Sequence, residues 1–113
     1  MKVISKWIKL VIFVPESHAD QIKAVAAKAG AGKIGKYSCC SFSIKGAGRF
    51  RPEEGSEPWT GKKNQLEEVI EERIEMLCKG IYVKQVIEEI SKVHPYEEPA
   101  IDIYPVYQRG CFT

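Results

Sequence analysis

From Lys6 to Pro15 the chain reads KWIKLVIFVP. Ile8, Leu10, Ile12 and Val14 fall on one face of an extended segment and are all apolar. Trp7, Lys9, Val11 and Phe13 fall on the other. A short segment that is apolar on one face and largely so on the other reads as an interior strand. Ser17 follows with Asp20 three residues on, a capping-box-like start in which hydroxyl and carboxylate serve orphan backbone donors. Ile22, Val25, Ala26 and Ala29 then make a helical stripe. Gly30 and Gly32 end it, since glycine accepts the left-handed backbone that helix C-termini often use.

The same plan returns in RIEMLCKGIYVKQVIEEISKVHP. Ile74, Met76 and Cys78 alternate as a strand, and Val83, Val86, Ile87, Ile90 and Val93 form a helical stripe. Leu10 and Ile74, Ile12 and Met76, Ile22 and Val86, Ala26 and Ile90, and Ala29 and Val93 are each 64 positions apart. That register pairs YSCCSFSI after the first helix with AIDIYPVY after the second, so each half reads strand, helix, strand. Two such units predict one α+β domain over residues 1–113: a ferredoxin-like antiparallel sheet with both helices on one face. Between the halves, residues 45–65 carry four glycines, two prolines and almost no periodicity. They read as a long inter-repeat loop, a kind that is usually functional or mobile. Phe50 and Trp59 in that loop need a surface to cover them, and a neighbouring subunit is the simplest.

Composition narrows the functional classes. The 113 residues are 44% hydrophobic and 28% charged, the balance of an ordinary globular chain. Seventeen basic against fifteen acidic residues leave a net charge of +2, with the acids clustered in EEVIEERIE and the bases scattered, which is no nucleic-acid footprint. The longest apolar run, LVIFV, is too short to span a bilayer, and the N-terminus lacks the apolar stretch of a signal peptide, so a cytoplasmic protein without membrane contact is expected. Cys39, Cys40, Cys78 and Cys111 form no C-x-x-C pair, so reduced thiols are expected.

The densest chemistry lies in VHPYEEPAIDIYPVY, residues 93–107. Pro95 stops the second helix and leaves His94 in its last turn, where the helix dipole favours a protonated imidazole. Glu97 and Glu98 are adjacent and point in different directions, so one of them approaches His94. These residues read either as a helix-ending turn that fixes geometry or a subunit contact, with Pro95, Tyr96 and Pro99 as its frame, or as a divalent-metal site. Cys39 and Cys40 invite a metal reading, but neighbours in a strand point to opposite faces and cannot readily grip one ion. Cys78 continues a core face. His18 lies just past the helix cap, where solvent is expected to reach it. In KGAGRFRP, Gly46 and Gly48 with Arg49 and Arg51 could cradle an anion through backbone donors and guanidinium forks. The glycines serve equally well as a tight hairpin.

The stretches GAGKIGKYSCCSFSIKGAGRFRPEEGSEPWTGK, EEVIEERIEML and HPYEEPAIDIYPV together resemble the inserted domain of YqfO proteins in the Nif-three-like (NGG-one-interacting factor) family, a likeness running from about Trp7 to Tyr107. HPYEEPA is also similar to a turn in CutA, the divalent-cation-tolerance protein, which is ferredoxin-like and trimeric. Both are similar in architecture to PII signalling proteins. The resemblance implies a PII- or CutA-like fold and places residues 45–65 where PII proteins carry their ligand and partner loop. In the larger proteins the domain sits within a two-metal body sometimes described as GTP-cyclohydrolase-like. The histidines and acids of that body have no counterparts here, since the chain has only His18 and His94. The expectation is therefore a non-enzymatic homotrimer of regulatory, sensing or scaffold type, with an unidentified protein as a further partner. The first alternative is a copper- or zinc-binding protein of CutA type that uses His94, Glu97, Glu98 and Cys39. The second is an accessory part of a GTP-cyclohydrolase-like hydrolase.

Overall fold

The computed structural model describes residues 6–112. The chain runs through β1 (Trp7–Pro15), a 3-10 turn (Glu16–His18), α1 (Ala19–Ala29), β2 (Phe42–Phe50) and β3 (Glu67–Lys79). A second 3-10 turn (Gly80–Tyr82), α2 (Val83–Val93), β4 (Ile101–Pro105) and a closing 3-10 turn (Arg109–Phe112) complete it. The strands form one sheet in the order β2-β3-β1-β4, every neighbouring pair antiparallel. This is the ferredoxin-like α+β arrangement of two strand-helix-strand halves.

The alternation in β1 decides which face the helices cover. Ile8, Leu10, Ile12 and Val14 are fully buried, joined by Ile74, Met76 and Cys78 from β3, Ile22 and Ala26 from α1, and Val83, Val86 and Ile90 from α2. Each buried aliphatic side chain contributes about 1.5–3 kcal/mol, which makes this layer the main source of stability. Glu72 reaches the same face at the sheet end. Its carboxylate meets Lys23 Nζ at 3.0 Å, and that contact above all holds it below the usual carboxylate range.

Neither α1 nor α2 covers the other face. Lys9 and Arg73 flank Glu75 there at 3.3 and 3.2 Å, and the Arg73 guanidinium lies 5.4 Å from the Phe13 ring centroid. Towards the sheet edges Phe42, Ile44 and Tyr104 of this face stay exposed, at 64%, 58% and 45%.

Three local expectations are corrected. Ser17 caps no helix: its hydroxyl pairs with His18 Nδ1 at 2.8 Å, and α1 begins at Ala19 behind the 3-10 turn, without a side-chain cap. The segment after α1 is not a strand from Tyr37. Cys39 takes a left-handed φ of 59°, so pairing begins only at Phe42, and Cys39 and Cys40 lie in a loop. Residues 45–50 are not loop either. They continue β2, with Gly46 opposite Glu71 and Gly48 opposite Val69, and β3 starts at Glu67. The connection between the two strands is therefore 51–66.

Candidate functional site

His94 is the C-cap of α2 and is buried, 6% exposed. Its Nε2 lies 2.8 Å from the carbonyl oxygen of Phe13, and its Nδ1 accepts the Tyr96 N–H at 3.2 Å. One nitrogen must donate and the other accept, which defines a neutral imidazole with the proton on Nε2. Burial, the largest influence, pushes its pKa down; the Phe13 carbonyl and the Glu71 carboxylate oppose that only in part. The expected protonated imidazole at the helix end is thus corrected, because loss of solvent outweighs the helix dipole. The ring also finishes a ladder. The Phe13 N–H donates to Ala100 O at 3.1 Å, and where β4 pairing stops, His94 takes up the Phe13 carbonyl.

Pro95 and Pro99 bracket the following turn, and its side chains reach three other elements. The Tyr96 hydroxyl donates to Glu71 Oε2 at 2.7 Å. Burial and the adjacent carboxylate push the phenol well above its ordinary value, so it remains a donor. Glu97 Oε1 accepts the Glu57 N–H at 2.9 Å and so ties the 51–66 connection to the turn. Gly48 has its reason here: a Cβ at this position would collide with the Glu71 carboxylate, which crosses the strand above it. Gly46 faces open space.

Phe50, at the end of β2, and Trp59, in the connection, meet rings of their own chain. Trp59 packs edge-on to His18 at 5.4 Å and lies 6.1 Å from the Tyr96 ring, and Phe50 lies 6.0 Å from the same ring. Trp59 stays 48% exposed and Phe50 is half-buried, and His18 is half-buried rather than solvated. These contacts enclose a cleft of about 400 Å³ over the end of the open sheet face. Phe13, Phe50, Trp59 and Tyr96 supply its rings.

The structure separates the metal candidates. His94 sits at the Phe13 end of β1. The loop carrying exposed Cys39 sits at the other end, where Cys40 bonds Gly32 and Gly32 bonds Leu77, a residue paired with Lys9. Both ring nitrogens of His94 are engaged, and Glu97 is turned to Glu57. Among the described residues no group of three or more His, Cys, Asp or Glu side chains is placed to hold a metal ion. Arg51 and Glu98 do line the cleft, whereas Arg49 lies on β2 between Gly48 and Phe50 and turns its side chain to the opposite face. Sequence reasoning missed Glu71 and the Phe13 carbonyl. The signal for Glu71 was the glycine at 48, read as a turn former rather than as room for a crossing side chain.

No protein-family model matches the chain. It is 48% identical over 102 residues to a protein of Halalkalibacterium halodurans named GTP cyclohydrolase 1 type 2 homolog, a match covering 90% of this chain and 27% of that protein. The crystal structure of a Bacillus cereus protein related to NIF3 superimposes with a TM-score of 0.80 at 39% identity, covering 96% of this chain and 28% of that one. The chain is a homologue of one segment of the Nif3-related proteins. It spans about a quarter of the length of the curated relatives it matches. The periplasmic divalent cation tolerance protein CutA from Archaeoglobus fulgidus shares the fold, with a TM-score of 0.63, 16% identity and coverage of 90% and 85% of the two chains.

Proposed function

We propose that this Nif3-related segment is a non-enzymatic module of regulatory, sensing or scaffold type that works as a homotrimer in the cytoplasm. The observation that carries the reading is the uncovered sheet face. Phe42 and Ile44 on β2 and Tyr104 on β4 expose large apolar side chains beside an ordered charged row, the pattern of a surface that packs on its own copies. Among the described residues no helix is long and apolar enough to cross a membrane. The non-enzymatic reading is supported by the contacts of the two histidines, His18 with Trp59 and Ser17, and His94 with the Phe13 carbonyl and Tyr96. A copper or zinc role for His94 would have to break the Tyr96 N–H bond or the Phe13 bond first. Light scattering after size exclusion tests the assembly. A trimer is expected for the wild type and a smaller species for Ile44→Glu, while a wild-type monomer at micromolar concentration would sink the reading.

A further inference from the structure

The basic residues are scattered along the sequence, and the fold gathers them. Residues 6–14, 29–41, 76–87 and 103–112 hold seven Lys or Arg and no Asp or Glu. Hydrogen bonds bring these four segments to one end of the sheet: Gly80 N–H to Lys6 O at 2.9 Å, Gly32 N–H to Leu77 O at 2.7 Å and Val106 N–H to Trp7 O at 3.2 Å, with the Gln85 side-chain amide on Ala29 O at 2.7 Å. Glu75, the next acid along β3, is already turned to Lys9 and Arg73. This end is therefore basic, while the cleft at the other end carries four glutamates.

A second cavity, of about 340 Å³, opens at the basic end beside the edge of β3. The β2 pairing stops at Phe42 and Glu75, so residues 76–79 of β3 have no β2 partner. The Leu77 carbonyl points away from β1, towards Gly32, and along a strand alternate residues turn both backbone groups to the same side, so the Leu77 and Lys79 N–H groups also face this edge. Lys33 and Lys79 supply the charge and Trp7 and Tyr82 the rings, and no carboxylate lines the cavity. Neither lysine takes part in an ion pair among the described residues. Lys79 Nζ lies 5.6 Å from the Trp7 ring centroid, and Tyr82 is held against Gly30, where a Cβ would come within 3.1 Å of its ring. Trp7 and Lys79 are the last rung of the sheet, four residues along β3 from the partner of Phe42, whereas Gly30, Cys78 and Tyr82 come from the helix side. The cavity therefore opens at the end of the sheet and not on the surface formed by Phe42, Ile44 and Tyr104.

Two ammonium groups with no acid beside them match a dianion better than a single charge. A phosphate monoester carries about −1.5 to −2 at pH 7, and lysine binds phosphate as a point charge. The volume is at the small end of ligand sites, room for a phosphate and one small ring. We infer that this cavity binds a small phosphate monoester, its phosphate on Lys33 and Lys79 and its organic group against Trp7 and Tyr82. The test is a titration with phenyl phosphate at physiological ionic strength, with benzoate for comparison, followed by the two indole N–H resonances. Trp7→Phe assigns the one, and Trp59 at the far end of the sheet is the internal control. Phenyl phosphate should shift the Trp7 signal to saturation, leave Trp59 in place and bind at least tenfold more tightly than benzoate, a difference of about 1.4 kcal/mol. Lys33→Gln with Lys79→Gln should weaken it at least tenfold. Both lysines are exposed, so the double variant is expected to fold. Lys36→Gln removes the same charge from the same loop but does not line the cavity, and it should change the affinity less than twofold. Ile44→Glu should bind as the wild type does, since all the walls belong to one chain. Benzoate binding as tightly as phenyl phosphate, Trp7 and Trp59 shifting together, a double variant that keeps its affinity, Lys36→Gln losing as much as Lys33→Gln, loss of binding in Ile44→Glu, or no Trp7 shift at all would each overturn the assignment.

Discussion

His94→Ala is the most informative single change. The substitution removes the donor to the Phe13 carbonyl and the acceptor for the Tyr96 N–H, two hydrogen bonds at about 0.5–1.5 kcal/mol each. It also empties the space of a ring that is 94% buried and leaves the Phe13 carbonyl unsatisfied beside it. Together these give a loss of about 2–4 kcal/mol, within the range of other buried large-to-small changes. That exceeds the expectation for Tyr96→Ala, because the Tyr96 ring is only half-buried. For a domain of this size, each kcal/mol moves the melting temperature by about 4–6 °C, so a drop of roughly 10–20 °C is expected.

The same residue predicts a pH dependence of defined sign. Its pKa is lower in the folded chain than the ordinary 6.5, so between those two values the unfolded chain carries a proton that the folded chain does not. Stability therefore rises with pH across that window, and it falls as pH drops below about 6.5. Thermal melts between pH 7.5 and 5.5 should show this decline in the wild type and in a His18→Ala control, and it should be much reduced in His94→Ala. A wild type more stable at pH 5.5 than at pH 7.5, or a His94→Ala loss below about 1 kcal/mol, one hydrogen bond's worth, would refute the neutral, ladder-ending role.

Gly48→Ala and Gly46→Ala should have opposite signs. The first drives Glu71 off Tyr96 and forfeits a charge-assisted bond of about 1.5–3 kcal/mol, partly offset by about 0.4–1 kcal/mol from a stiffer unfolded chain; the second keeps only the gain. Urea unfolding of the pair checks the order. Gly32→Ala should destabilise by at least about 2 kcal/mol, because its φ of 80° strains any Cβ and that Cβ would lie 2.7 Å from the Cys40 carbonyl; a melt within about 1 °C of wild type would refute it. The purified chain should not turn over GTP with zinc, manganese or magnesium. Turnover that copurifies with the chain and disappears in a point variant would contradict this.

The helix-facing side of the sheet was legible in the sequence because a one-sided core imposes strict alternation: Ile8 to Val14 and Ile74 to Cys78 carry it, and all of those helix-facing positions are buried. The arm formed by residues 47–50 and 67–70 was not. It extends past β1 and buries no residue fully on either face, so Glu67 and Glu68 are as acceptable there as Val69 and Ile70, and the period-two signal fades. Glycines on an edge strand then look like a loop. At the site, the HPYEEP turn was visible as a motif, but the partners of its side chains lie 25, 40 and 81 residues away, beyond what local spacing can reveal.

The internal repeat explains why that turn is built around a histidine. Phe13 and Leu77 are 64 positions apart, equivalent residues of the two halves, and each carbonyl is taken up by the segment that follows the other half's helix. In the first half the donor is a backbone amide, Gly32 N–H to Leu77 O at 2.7 Å, on a long connection of residues 30–41 that folds back through the Gly32–Cys40 bond. In the second half the connection is residues 94–100, with prolines at 95 and 99, neither of which has an N–H to give. The shorter, proline-framed segment fills the equivalent place with an imidazole at 2.8 Å. One structural requirement is thus met by main chain in one half and side chain in the other. The histidine that first looks like a ligand is the second half's substitute for a missing amide, and holding that carbonyl leaves Tyr96, Glu97 and Glu98 displayed along the cleft.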